Sequence, residues 1–293
     1  MQHLPQDPSD IGALWLTLAA HWDLLGSPVR PCVEDIGVIE EMLSAETNLF
    51  DKAGGKKAWL LGITPEIAAA RCLHAIDLVA VERIQTMIDH VWPGDTDGRR
   101  AIRADWVHAP FPDESFDLVI GDGCLTPVSF PDQLSGLLSS VHRCLRRDGY
   151  LMLRLFCRPD VAETPGAVIA ALRSGAIGSI HAFKWRLAMA VQGTIDGPDV
   201  ALDEVWQVWN AAHIDVAALA EERGWSHAEI GTMEFYRGSP ARNNFMRFDE
   251  TIRHLQQAGF DLVATRTGHY ELAERCPHVL LKKLTYLSKA GVP

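Results

Sequence analysis

Glu82 follows Gly62 by twenty residues, and each stands where a short apolar run ends. Ala58-Trp59-Leu60-Leu61 runs into Gly62, and Ile76-Asp-Leu-Val-Ala-Val81 runs into Glu82. A glycine after a strand lets a ligand approach the backbone. A carboxylate ~20 residues further on is placed to accept from both hydroxyls of a ribose. The plainer role for Glu82 is that of a first-turn helix carboxylate; position and spacing together favour the sugar. Behind Gly62, Thr64 suits an N-cap, Pro65 the first helical position, and Glu66 the first turn. Taken alone, that stretch is better explained as a strand-to-helix turn. Asp105-Trp106 closes a third run, where the acid would accept from an adenine amino group and the indole would wall the ring. A loop acid beside a half-buried tryptophan explains the pair equally well. Gly121-Asp122-Gly123-Cys124 closes a fourth; two glycines around an acid predict a tight turn facing a cleft.

The elements that must position these residues follow from apolar periodicity. Strands are predicted over 58–61, 76–81, 100–104, 116–120 and 149–156, with helices over 64–74, 84–91 and 131–145. That alternation demands a mostly parallel sheet with helices on both faces. Helices over 10–25, capped by Ser9 or Asp10, and over 34–45 come first. From 160 to 247 the alternation stops, and helices are predicted over 167–172, 180–191, 202–212 and 216–223. A helix over 248–258, ended by Gly259, leads to strands over 260–266 and 278–284. These two lie too close together to flank a helix, so they form an antiparallel pair. The expected fold is α/β and Rossmann-like. It has a doubly wound, mostly parallel seven-stranded sheet with an antiparallel last strand, a helical insert and N-terminal helices. The expected organisation is an extension over 1–50, a core over 51–159 and 248–293, and a cap over 160–247.

The 293 residues are 47% hydrophobic and 22% charged, which suits a folded chain with a real core. A formal net charge of −11 argues against general nucleic-acid binding, which needs a basic stripe. No run approaches the ~20 apolar residues of a membrane span, and the polar Met1–Asp10 lacks the layout of a signal peptide. Six cysteines without a CxxC pair predict no metal site and reduced thiols in the cytoplasm.

The order of these pieces resembles the class I S-adenosylmethionine-dependent methyltransferases, over roughly 56–156 and 248–284. The most specific stretch is Ala104-Asp-Trp106 … Pro110-Phe-Pro-Asp-Glu-Ser-Phe-Asp-Leu-Val-Ile120, which is similar to the family's path from the adenine-side acid to its fourth strand. Leu145-Arg-Arg-Asp-Gly149 resembles the turn before its fifth, and Gly259-Phe-Asp-Leu-Val263 the start of its terminal pair. The resemblance implies S-adenosylmethionine as cofactor. It places the methionine part at Gly62, the ribose at Glu82, Arg83 close to the adenosine, and the adenine at Asp105 and Trp106. Asp122 and Gly123 would line the cleft near the transferable methyl. The family's glycine-rich turn has an acid two residues before its first glycine and glycines two and four after it. Here those positions are Leu60, Thr64 and Glu66, so Glu66 or Asp122 would meet the cofactor's ammonium.

Methyl transfer from a sulfonium is an in-line displacement that needs alignment and exclusion of water more than a catalytic triad. The acceptor pocket is expected from the added parts, with His181, Trp185, Trp206, Trp209, Tyr236, Arg237 and Arg242 as candidates. Phe183, Leu187 and Val191 fall at helical spacing, and the tryptophans suit core filling as well. Tyr236, Arg237 and Arg242 lie in a Gly/Pro-containing loop and are preferred. Gly121-Asp-Gly-Cys124 lacks the Asn/Asp-Pro-Pro-aromatic motif of the family's DNA-amino enzymes. A small-molecule acceptor, methylated on oxygen or nitrogen, is therefore expected, without nucleic-acid or membrane partners and with no oligomeric state implied. Two alternatives remain. One is a nicotinamide-dependent oxidoreductase, which would want Gly-x-Gly-x-x-Gly. The other is a degenerate fold that binds a nucleoside or regulates without catalysis.

Overall fold

The computed structural model describes residues 8–50 and 55–284, with side chains from Leu14 onward. The stretch expected to be polar over Met1–Asp10 therefore lies outside the described residues as far as Asp7. So do residues 51–54 and the tail past Leu284.

Nine strands and eleven helices occur among the described residues. In chain order, α1 (Pro8–Ala20) and α2 (Val33–Glu46) precede β1 (Lys57–Leu61). Then come α3 (Pro65–Ala68), β2 (Asp77–Glu82), α4 (Gln85–Val91), β3 (Arg99–Arg103), β4 (Phe116–Asp122), α5 (Asp132–Cys144) and β5 (Leu145–Arg154). The next stretch holds α6 (Pro165–Ser174), α7 (Ile180–Gln192), β6 (Val200–Ala201), α8 (Leu202–Ala211), α9 (Val216–Arg223), α10 (His227–Gly231) and β7 (Arg242–Asn243). The chain closes with α11 (Phe248–Gln257), β8 (Phe260–Arg266) and β9 (His278–Lys283).

Seven strands form one sheet in the order β3-β2-β1-β4-β5-β9-β8. The first five are parallel; β9 runs antiparallel to both of its neighbours. The antiparallel strand is therefore internal, and β8 takes the edge. Parallel strands covered on both faces read as continuous apolar runs, and β1 is buried from Ala58 to Leu61. The opposite edge, β3, carries arginines at 99, 100 and 103, which discourages further strand pairing.

Register decides the site. Leu61 stands opposite Val81 on one side and Gly121 on the other. Gly62, Glu82 and Asp122 are the next residues on three adjacent strands. They stand abreast at the carboxyl ends, where the strand order reverses, and this is where open α/β sheets bind ligands.

Two predicted helices are corrected. The first helix already runs at Pro8, so Ser9 and Asp10 lie within it rather than capping it. It stops at Ala20, before a 3₁₀ turn over Trp22–Leu24. There His21 N–H turns back to Leu18 O and its ring contacts Thr17 O. The helix predicted over 64–74 breaks into α3 and a 3₁₀ turn over Arg71–Leu73, and Thr64 makes no side-chain cap. Tertiary partners replace the helical hydrogen bonds: Arg99 donates to Ala68 O and Leu73 O, while Glu40 accepts from Arg71 N–H at 2.6 Å. The short pair β6–β7 and helix α10 carry too few residues for a periodic signal.

Candidate cofactor cleft at the strand ends

Gly62 has φ +87°, a conformation that L side chains resist. A Cβ there would meet only Trp106 Cζ2, at 3.9 Å, so the backbone rather than crowding requires the glycine. Gly62 N–H and Trp106 Nε1–H both donate to Val81 O, at 2.9 and 2.6 Å. Trp106 is thereby held against the glycine turn. Asp105 is half-buried and accepts from Val107 N–H through Oδ1 at 2.7 Å.

Glu82 accepts from Ile84 N–H at 2.8 Å, and burial pushes its carboxyl above the usual range. Arg83, the next residue, is exposed, and its carbonyl accepts from Arg103 Nε. Thr64 is buried at the start of α3. Glu66 is paired through Oε1 with Arg30, from the segment between α1 and α2, while its Oε2 is buried without a hydrogen-bond partner.

Asp122 accepts two hydrogen bonds from Arg154, at 2.5 and 3.2 Å. Arg154 is 2% exposed and also donates to Asp35 (2.9 Å), Tyr270 (3.3 Å) and Pro28 O (2.9 Å). Burial works against its charge, but Asp122 and Asp35 outweigh it and hold the guanidinium firmly protonated. Gly123 follows at φ +57°, and a Cβ there would come within 2.2 Å of the Phe156 ring. Cys124 is buried, which pushes its thiol up to about 12.

The register therefore brings Gly62, Glu82 and Asp122 together. The turns that follow add Thr64, Glu66, Arg83, Asp105, Trp106 and Gly123. Tyr236, Arg237 and Arg242 line neither of the two cavities described here. Tyr236 is buried beneath Lys184, 5.5 Å from its ring centroid, Arg237 lies 5.1 Å over Trp206, and Arg242 pairs with Asp199 at 2.7 Å. Sequence reasoning missed Arg154 and Arg30. An arginine inside Tyr150-Leu-Met-Leu-Arg-Leu-Phe156 was the available signal, since a charge in an apolar strand needs a partner. Among the described residues, no group of three or more His, Cys, Asp or Glu side chains is arranged to hold a metal ion.

Residues 61–153 match the family model described as a methyltransferase domain. No curated relative matches the chain. Among solved structures, the CcbJ methyltransferase from Streptomyces caelestis is similar at 11% identity and a TM-score of 0.55, covering 95% of this chain and 100% of its own. A Rhodobacter sphaeroides protein named as a zinc-dependent alcohol dehydrogenase gives 12% identity and a TM-score of 0.53, covering 90% and 97%. Likeness at such identity speaks to the fold alone.

The residues present fit the family's cofactor. The partnerless Glu66 Oε2 is a buried acceptor one helical turn past Gly62, where an ammonium would supply the missing donor. Glu82 is a half-buried carboxylate met by the backbone N–H groups of Ile84 and Arg83, which leaves it acceptor capacity for hydroxyls. Family match and strand order agree: residues 61–153 carry a methyltransferase domain on a Rossmann-like sheet, and the residues at its strand ends fit S-adenosylmethionine.

Proposed function

We propose that this enzyme transfers a methyl group to an oxygen or nitrogen atom of a small-molecule acceptor. The observation that carries the reading is the abreast placement of Gly62, Glu82 and Asp122 at the point where the strand order reverses. In this reading Glu82 holds the ribose hydroxyls and Arg83 lies close to the adenosine. Asp105 and Trp106 flank the adenine. The Gly62 turn, Thr64 and Glu66 receive the methionine part, with Glu66 Oε2 taking its ammonium. Asp122 and Gly123 form the floor near the methyl, with Asp122 fixed by Arg154.

Bound there, the cofactor supplies an activated methyl on a sulfonium. The chain's own task is to align an acceptor atom and keep water out. Residues 160–247, with 1–50, are proposed to cap the core (51–159 and 248–293). The acidic balance supports an acceptor other than nucleic acid. Six free cysteines support a reducing, cytoplasmic setting. No described helix is long and apolar enough to cross a membrane.

Titration calorimetry with S-adenosylmethionine and S-adenosylhomocysteine tests the cofactor roles. Glu82→Ala is expected to weaken binding by about 1–3 kcal/mol, since a charged hydrogen-bond pair is lost from a buried site. Unchanged affinity removes Glu82 from the ribose. One observation favours a second reading, a nucleoside-binding protein without catalysis: both acids nearest the methionine end are already neutralised, Glu66 by Arg30 and Asp122 by Arg154. Binding of both ligands without methyl transfer to any of a panel of small hydroxyl and amine acceptors would favour it.

A further inference from the structure

Beyond β5 the chain continues past the sheet, and a second site assembles there. Arg158 N–H donates to Met246 O at 3.2 Å, which lays 158–163 alongside the entry to α11. Cys157 N–H donates to Arg275 O at 2.8 Å, which brings in the 3₁₀ turn Ala273–Arg275. Between these segments and the end of α7 lies a cavity of about 130 Å³. One ordered water needs only ~10–15 Å³, so the space suits a small organic group.

Three guanidinium groups line this cavity: Arg158, Arg247 and Arg275. Two acids oppose them. Glu163 is already occupied, bridging Arg186 and Arg275 at 2.5 Å each, and those bonds hold its carboxyl below the usual range despite burial. Asp160 is exposed. Arg158 makes no side-chain hydrogen bond among the described residues. Its nearest acid, Glu250, is 3.8 Å away, and its Nε is buried without a partner. Arg275 Nε is likewise buried without a hydrogen bond, its nearest acid being Glu274 at 3.7 Å. The side chain of Arg247 has no hydrogen bond or ion pair among the described residues, and it is exposed.

Buried donors left without acceptors are costly, and the planar guanidinium fork matches a carboxylate. With Arg186, Glu250 and Glu274 counted, four arginines face four acids. The case for an anion therefore rests on unmet donors, the Arg158 Nε–H and the Arg247 fork, which suit one planar monoanion better than a phosphate dianion. Met189 and Ala190 give the remaining wall an apolar character. We propose that this cavity binds the carboxylate of a small monoacid with an apolar body. The neighbouring residue Met246 lines a water-sized cavity of about 10 Å³ together with Gly123. Resting on the transferase reading, the same acid is then the end by which the methyl acceptor is anchored.

The test is a calorimetric titration of the full chain with benzoate, in the absence of cofactor. Benzamide serves as the uncharged isostere and inorganic phosphate as the competing anion. Saturable benzoate binding is expected, with benzamide and phosphate each at least tenfold weaker. Arg158→Ala and Arg247→Ala should each weaken benzoate tenfold or more, while Arg266→Ala, which pairs with Glu46 and does not line the cavity, leaves it unchanged. S-adenosylhomocysteine affinity should be the same in Arg158→Ala and the parent chain. If Arg158→Ala loses both ligands its fold is damaged, and the exposed Arg247→Ala then decides. Absent benzoate binding, preference for phosphate, or indifference to both substitutions overturns the proposal. Failure of the parent chain to bind S-adenosylhomocysteine would overturn the cofactor roles instead and leave the benzoate result standing.

Discussion

Gly62 and Gly123 share a left-handed backbone, but they need it for different reasons. At Gly62 an added Cβ meets one indole carbon at 3.9 Å, so alanine there costs about 1–2 kcal/mol of backbone strain and little else. At Gly123 the same Cβ would lie 2.2 Å from the Phe156 ring. That ring is held 5.1 Å from Trp185 and 5.1 Å from the Arg154 guanidinium, so it cannot yield freely. Gly123→Ala therefore adds overpacking of about 1–3 kcal/mol to the same strain. Denaturant midpoints should fall further for Gly123→Ala than for Gly62→Ala; equal midpoints would refute the distinction. Both glycines and Glu82 were legible in the sequence because spacing and strand ends are one-dimensional properties. Arg154 was not placed, because its partners Asp122 and Asp35 lie 32 and 119 residues away. Arg158, Arg247 and Arg275 escaped for the same reason: three separate loops bring them together.

Elements were legible wherever a long apolar period had no tertiary competitor. Helix α7 was predicted over 180–191 and spans Ile180–Gln192, with Ser179 accepting from Ala182 N–H as its cap. What periodicity could not convey is that α7 is buried on nearly every side, Lys184 included. Among the described residues the Lys184 ammonium has only Thr232 Oγ1 as a hydrogen-bond partner, and burial pulls its pKa down to about 7. His181, one turn earlier, is pulled down to about 4 by burial and then by Lys184. A lysine whose folded pKa is lowered takes up fewer protons in the native state than in the unfolded state between about pH 7 and 10.5. Stability therefore rises with pH across that window and is lost as pH falls through it. Lys184→Met removes this dependence. The melting-temperature advantage of the variant should be greatest near pH 7 and shrink toward pH 10, at up to about 1.4 kcal/mol per pH unit. A difference that stays flat from pH 7 to 10 would show that Lys184 is not desolvated as described.

On the scale of the whole molecule, one buried charge cluster ties the N-terminal segment to the sheet. Asp35 is fully buried in the first turn of α2 and accepts from Arg154 Nη1 (2.9 Å), the Tyr270 hydroxyl (2.7 Å) and Cys32 N–H (2.8 Å). Arg154 reaches on to Pro28 O and Asp122, so α2, β4, β5 and the loop before β9 meet at one guanidinium. His278 on β9 lies 3.4 Å from Asp35. Burial pulls that ring down to about 4, so at neutral pH it adds no charge. A buried pair is expensive to break because the surviving charge stays desolvated. Asp35→Asn keeps the shape and removes the charge. Arg154 then faces one carboxylate instead of two, and an amide N–H₂ is set among existing donors. The expected loss is about 3–5 kcal/mol, on the order of 10 °C in Tm at this chain length. Because the cluster is shielded from solvent ions, raising salt tenfold should leave the loss nearly unchanged. The same substitution should hasten chymotryptic cleavage after Trp22, whose carbonyl accepts from Arg30 in the segment that the cluster secures. A loss below about 1 kcal/mol, with chymotryptic cleavage after Trp22 no faster than in the parent chain, would mean that the N-terminal segment is held by apolar packing alone.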